Sequence, residues 1–184
     1  MAVEKGRPAH EKESPANGKE ANAKEHAALA VGDPAPDFDL PGDGGGRVSL
    51  AGLLGKPTVI YFFPKADTSG CTRESVAFSA LKPDFDKAGV AVIGVSADPV
   101  KTQDRFKAKH NLTVALASDE ASSMLEAYDV WVEKSMYGKK YMGIERTTVL
   151  IGTDGRIARI WHKVKIDGHA EDVLAAARAL SKRE

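Results

Sequence analysis

The chain has 184 residues, 42% of them hydrophobic, with 26 Lys and Arg balanced by 26 Asp and Glu. A net charge of zero gives no electrostatic footing for nucleic acid or an anionic membrane, and no apolar run approaches the roughly 18 residues of a bilayer-spanning helix. The only cysteine, Cys71, has no partner for an intramolecular disulfide and suits a reducing compartment, so the expectation is a cytoplasmic protein.

Residues 1–30 are Ala, Glu, Lys, Gly, Pro and Asn with almost no large apolar side chains. Too little apolar surface is available there to offset the entropy of ordering, so the segment reads as a disordered tail ahead of one domain at 31–184. It lacks the apolar core of a secretory signal and is rich in Glu, unlike a transit peptide. Prolines keep Gly32-Asp33-Pro34-Ala35-Pro36 extended. Residues 37–40 and 47–50 flank a glycine-rich turn, Gly42-Asp43-Gly44-Gly45-Gly46, and predict a β-hairpin. Residues 57–63 form a near-continuous apolar run, the pattern of a central strand buried on both faces.

From Cys71 the pattern turns helical through Val76, Phe78, Leu81 and Phe85 and stops at Gly89, with Pro83 expected to kink or divide the helix. Residues 90–95 predict a second buried strand, 100–109 a helix, 114–116 a short strand and 122–128 a short helix. Trp131, Tyr137 and Tyr141 follow, read as cover for the core, with a pocket entrance as the alternative. Residues 147–151 predict a third long strand, which Asp154-Gly155 turns into a partner at 156–161. A last helix is expected over 169–181, with Val173, Leu174, Ala177 and Leu180 at helical spacing. Parallel crossovers followed by an antiparallel hairpin give an α/β protein: a thioredoxin-like fold, its mixed central sheet flanked by helices, with an N-terminal β-hairpin.

Cys71 sits where a strand passes through a Pro/Gly turn into a helix. The first turn of a helix offers unpaired N–H groups and the positive end of the dipole, a setting that favours a thiolate. Thr68 places a hydroxyl near that turn, Pro64 removes a donor and stiffens the loop, and Glu74 lies one turn into the helix, where it suits the dipole and could orient a cation. The bland alternatives are an inert buried thiol, a plain Thr cap and a solvated carboxylate. His10, His26, His110, His162 and His169 show no metal-ligand grouping.

The run Phe62-Phe63-Pro64-Lys65, then Thr68, Cys71, Thr72 and Glu74, resembles the active-site loop of peroxiredoxins, most closely the peroxiredoxin Q or bacterioferritin comigratory protein group. Residues 31–38, 92–98 and 144–151 extend the resemblance along the domain. It implies a thiol-dependent peroxidase acting on hydrogen peroxide and organic hydroperoxides. Cys71 would be the peroxidatic nucleophile, Arg146 the arginine that stabilises the thiolate and polarises the peroxide, Thr68 a hydrogen-bond partner of the peroxide oxygens, Pro64 a shield and Glu74 an orienter of the arginine. No cofactor is implied. Many relatives carry a resolving cysteine five residues on, where this chain has Val76, or in the following helix near Phe106 and Lys107. The chain therefore resembles a one-cysteine form whose sulfenic acid needs either an external thiol (thioredoxin, or glutaredoxin with glutathione) or Cys71 of a second molecule. A monomer is expected, with a dimer as the alternative. A peroxide sensor with little turnover and a thioredoxin-fold binding or holdase module are the competing functions.

Overall fold

A computed structural model of the chain describes residues 27–183, so most of the segment read as a tail lies outside the described residues. Backbone contacts with the domain begin at Leu29, whose N–H donates to Asp129 Oδ2 at 2.6 Å.

The hairpin forms between β1 (Asp39–Pro41) and β2 (Arg47–Ser49), paired antiparallel around a 3-10 turn at Asp43–Gly45. Ser49 then caps a single helical turn, α1 (Leu50–Leu53), by accepting from Gly52 N at 3.1 Å. The remaining elements are β3 (Thr58–Phe62), α2 (Ser69–Lys87), β4 (Ala91–Ser96), α3 (Val100–His110), β5 (Ala115–Ser118), α4 (Ser123–Ala127), β6 (Trp131–Met136), β7 (Lys139–Ile144), β8 (Thr147–Ile151), β9 (Ile157–Trp161) and α5 (His169–Ser181).

Five strands form one mixed sheet in the order β5-β4-β3-β8-β9. β3, β4 and β5 run parallel, and β8 and β9 complete the sheet antiparallel, the thioredoxin-like arrangement with helices against the sheet. All five residues of β3 are buried because the strand is central and covered on both faces. Alternation divides its side chains. Val59, Tyr61 and Phe63 join Phe78 and Phe85 of α2, Phe106 of α3 and Val173 of α5. Ile60 and Phe62 join Phe38 of the segment before β1 and Met124 and Leu125 of α4.

Tyr61 ties the sheet to the helix that carries Cys71. Its ring stacks on Phe78 with centroids 4.6 Å apart, and its hydroxyl is 3.0 Å from Ser75 Oγ. A Cβ on Gly94 would sit 2.6 Å from that ring, so the neighbouring strand needs glycine there. Burial pushes the Tyr61 phenol far above its ordinary range, so it stays neutral.

Two expectations change. Pro83 does not divide α2, which runs unbroken over 19 residues. The carbonyl that Pro83 leaves without its helical donor belongs to Ser79, and Thr113 Oγ1 donates to it at 3.2 Å while Thr113 N–H donates to Ser79 Oγ at 3.1 Å. The segment read as core cover is a separate two-stranded sheet, β6 with β7. Trp131 packs against the core, but Tyr137 is 98% exposed at the tip and Tyr141 is also exposed. Among the described residues no helix is long and apolar enough to cross a membrane.

Candidate active site

The loop from Phe63 to Thr68 carries the chain from the end of β3 to the start of α2. It is pinned from the sheet. Phe63 N–H donates to Val95 O at 3.1 Å, and Ala66 N–H donates to Asp98 Oδ2 at 2.8 Å. Asp67 takes a left-handed turn, φ +61°, which Asp tolerates better than most residues. Thr68 returns to extended geometry at the N-cap, and its carbonyl accepts from Thr72 N at 2.9 Å. Its hydroxyl does not cap the helix; it donates to Lys65 O at 2.7 Å, leaving the oxygen's lone pairs free to accept. Pro64 is half-buried at the head of the loop.

Cys71 is the third residue of α2 and is 1% exposed. Arg146 reaches it from the two-residue link between β7 and β8, 75 positions along the chain. Its Nη2 donates to Cys71 Sγ at 3.3 Å, while Nη1 pairs with Glu74 Oε2 at 2.5 Å. One guanidinium thus bridges the sulfur and a carboxylate on successive turns of the same helix, a use of its fixed fork that lysine cannot copy. Val164 N–H donates to Arg146 O at 2.9 Å and fixes the backbone from which the side chain departs.

Glu74 is itself 1% exposed. Burial, partly opposed by the Arg146 charge and hydrogen bond, pushes its carboxyl up to about 7. Its Oε1 has no hydrogen-bond partner. Burial also works against the charge on Arg146, but Glu74 and the sulfur outweigh it and hold the guanidinium above its ordinary value. The cation is therefore permanent, and one of its N–H groups faces the sulfur.

Cys71, Arg146 and Glu74 come together in direct contact, and Thr68 lies at the cap of the same helix. Gly70 is a further contributor that pattern reading passes over. A Cβ there would stand 3.2 Å from Arg146 Nη2 and 3.2 Å from Ile166 Cδ1, so the bare backbone lets the guanidinium close on the sulfur. Its place beside Cys71 was the available signal. Asp98 is another: it holds the loop at Ala66 from the end of β4. A cleft of about 430 Å³ opens beside Arg146, walled by Val132, Lys134, Glu145 and Lys163. A cleft of about 450 Å³ lies at the opposite end of the parallel strands, beside Gly89 and Ala91, away from this chemistry.

Residues 31–160 match the AhpC/TSA family. Peroxiredoxin Bcp of Xanthomonas campestris is 47% identical over 152 residues, 82% of this chain and 95% of the relative. The solved bacterioferritin comigratory protein of Xanthomonas campestris, described with alkyl peroxide reduction activity, superposes with TM-score 0.77 at 44% identity, covering 83% of this chain and 98% of that one. Peroxidoxin BcpB of Mycobacterium tuberculosis superposes with TM-score 0.73 at 32% identity, covering 83% and 98%. With its one cysteine held against an arginine at the head of α2, the chain belongs to the peroxiredoxin family, in the Bcp and peroxiredoxin Q group and in one-cysteine form, and is a thiol-dependent peroxidase.

Proposed function

We propose that Cys71 is the peroxidatic nucleophile, that Arg146 stabilises both its thiolate and the charge that leaves it, and that Glu74 aims Arg146. The carrying observation is the guanidinium that spans Cys71 Sγ at 3.3 Å and Glu74 Oε2 at 2.5 Å. The thiolate attacks one oxygen of the peroxide. An S–O bond forms, the O–O bond breaks, and its electron pair goes to the departing oxygen, which takes a proton to become water or an alcohol. Negative charge moves from sulfur toward that oxygen, and a preorganised cation and the helix N–H groups meet it there. Thr68 accepts a hydrogen bond from the peroxide at its free lone pairs, and Pro64 limits water at the mouth of the loop.

The product is a Cys71 sulfenic acid. An external thiol attacks it, the S–O bond breaks as an S–S bond forms, and water leaves. A second thiol then releases Cys71 and carries away the disulfide. Thioredoxin, or glutathione with glutaredoxin, fills this role, and a reducing cytoplasm supplies it. Hydrogen peroxide and small organic hydroperoxides are the substrates; the alkyl peroxide activity of the Xanthomonas relative supports the second class.

Single-turnover consumption of peroxide by the reduced protein tests the assignment. Cys71→Ser abolishes it, and a variant that reacts as fast as the wild type overturns the reading. Recycling with each thiol system, followed by mass identification of the mixed disulfide on Cys71, names the reductant.

A further inference from the structure

The sulfur of Cys71 must be reached twice in each cycle, first by a small peroxide and then by the larger thiol reductant. It is 1% exposed and shares a buried cluster with Ala66 of the 63–68 loop, so the second approach requires that loop to move. What holds that loop from outside is Asp67. Its Oδ1 lies 2.7 Å from His110 Nε2 and its Oδ2 lies 2.8 Å from Lys109 Nζ, both on the last turn of α3. These pairs hold the Asp67 carboxyl below the usual carboxylate range, the His110 hydrogen bond contributing most and Lys109 next.

The contact has a rigid base. The His110 ring meets Phe106 edge-on at 5.5 Å between centroids, and Phe106 lies 6.0 Å from Phe63, where the loop begins. A closed circuit therefore runs from the core through α3 to Asp67 and back to the core through Phe63. Asp67 makes no hydrogen bond or ion pair with Cys71 or Arg146, yet its left-handed backbone, φ +61°, sets the direction of the chain into Thr68. The cluster is at the surface, with Asp67 and Lys109 side chains 43% and 62% exposed, so it can open without unfolding the core.

We propose that Asp67, clamped by Lys109 and His110, is a positioning residue that holds the peroxidatic loop closed over Cys71 for attack on peroxide, and that its release admits the thiol reductant. The proposal rests on Cys71 being the peroxidatic nucleophile. It makes the two half-reactions respond in opposite directions to one contact.

The test measures both half-reactions in the full chain. Oxidation of the reduced protein by hydrogen peroxide is followed by intact mass. Capture of the sulfenic acid by the 2-nitro-5-thiobenzoate anion is followed by absorbance. Asp67→Asn keeps the size of the side chain and its tolerance of the left-handed region but removes the charge; Asp67→Gly keeps the backbone freedom and removes the side chain. Both variants should oxidise about threefold to fivefold more slowly and be captured faster by a similar factor, the range that loss of exposed ion pairs allows. The double variant Lys109→Gln with His110→Gln should reproduce this, and about 1 M salt should move the wild type toward the variants while leaving Asp67→Gly nearly unchanged. Unchanged rates, or two rates that fall together, overturn the clamp while leaving the nucleophile assignment intact. A wild type that forms no sulfenic acid overturns both.

Discussion

Two charged clusters flank the Cys71 loop, and they differ in almost every physical respect. Arg146 with Glu74 is buried, spans 72 positions of chain and touches the sulfur. Asp67 with Lys109 and His110 is exposed, spans 42 and 43 positions and touches only the loop. A buried pair is costly to desolvate and costly to break, whereas an exposed pair is weak either way. The first cluster suits a fixed field at the reacting atom. The second suits a contact that must form and release on each turnover. Breaking each in turn shows whether that division holds.

The largest effect is expected from Arg146→Ala. It removes the one charged donor that, among the described residues, is aimed at the sulfur, and single-turnover peroxide reduction should fall about 100-fold to 1,000-fold. Arg146→Lys should recover little of it, because an ammonium cannot bridge Cys71 and Glu74 together. Stability should change as well. Without the guanidinium the Glu74 carboxyl climbs further above about 7, so the destabilisation seen by urea unfolding should grow as pH rises past neutrality.

Glu74→Gln isolates the carboxylate. In the wild type the folded value, about 7, lies above the ordinary 4.5, so the folded state holds this proton more tightly than the unfolded chain does. The stability linked to that proton is fully present below 4.5 and is lost as pH rises through about 7. The loss is on the order of 3 kcal/mol for so buried a group. Urea unfolding at intermediate and neutral pH should show this slope in the wild type and not in Glu74→Gln. The variant should still reduce peroxide more slowly at every pH, because Arg146 loses the partner that aims it. A variant with the wild-type slope would mean that another group carries the titration.

Gly70→Ala probes how closely the buried cluster is fitted. The added methyl stands 3.2 Å from Arg146 Nη2, a contact that forces a shift of a few tenths of an ångström. A misplacement of about 1 Å costs on the order of 100-fold in well-oriented chemistry, so this smaller shift should slow peroxide reduction about threefold. Thiol capture of the sulfenic acid should stay unchanged, since the loop and its clamp are untouched.

How much of this was legible in the sequence depends on the range of each interaction. The long strands and α5 declare themselves through local periodicity, and residues 169–181 are helical as expected. Cys71 is legible because its strand, turn and helix start are contiguous. Arg146 carries no local mark; only the family resemblance singled it out, since its partner is 75 positions away. The β6–β7 hairpin was obscured because Lys and Tyr occupy exposed positions where alternation would show, and its turn, Tyr137-Gly138 with φ +51° and +77°, holds a Tyr where Asn usually signals the type I′ geometry. Pro83 misled for a tertiary reason: Thr113, 34 positions from Ser79, supplies the donor that the proline withholds. Gly70 and Asp67 likewise act through neighbours that only the fold brings near.

The smallest effect on stability should come from Asp67→Asn, and its smallness is the sharpest test of the contrast. The Asp67 carboxyl is held below its ordinary 3.8, the opposite direction from Glu74. Its stabilising contribution is therefore present above 3.8 and is lost as pH falls through the lower folded value. At neutral pH the pairs are formed but screened by water, so the urea midpoint of Asp67→Asn should move by only a small fraction of the shift seen for Arg146→Ala. The two variants should also differ in slope: the Arg146→Ala deficit widens toward alkaline pH, and the Asp67→Asn deficit stays flat until the acid range. An Asp67→Asn midpoint that fell as far as that of Arg146→Ala would show that the exposed cluster carries the fold. A contact that carried the fold could not open on every turnover, and the sulfur would need another route to its reductant.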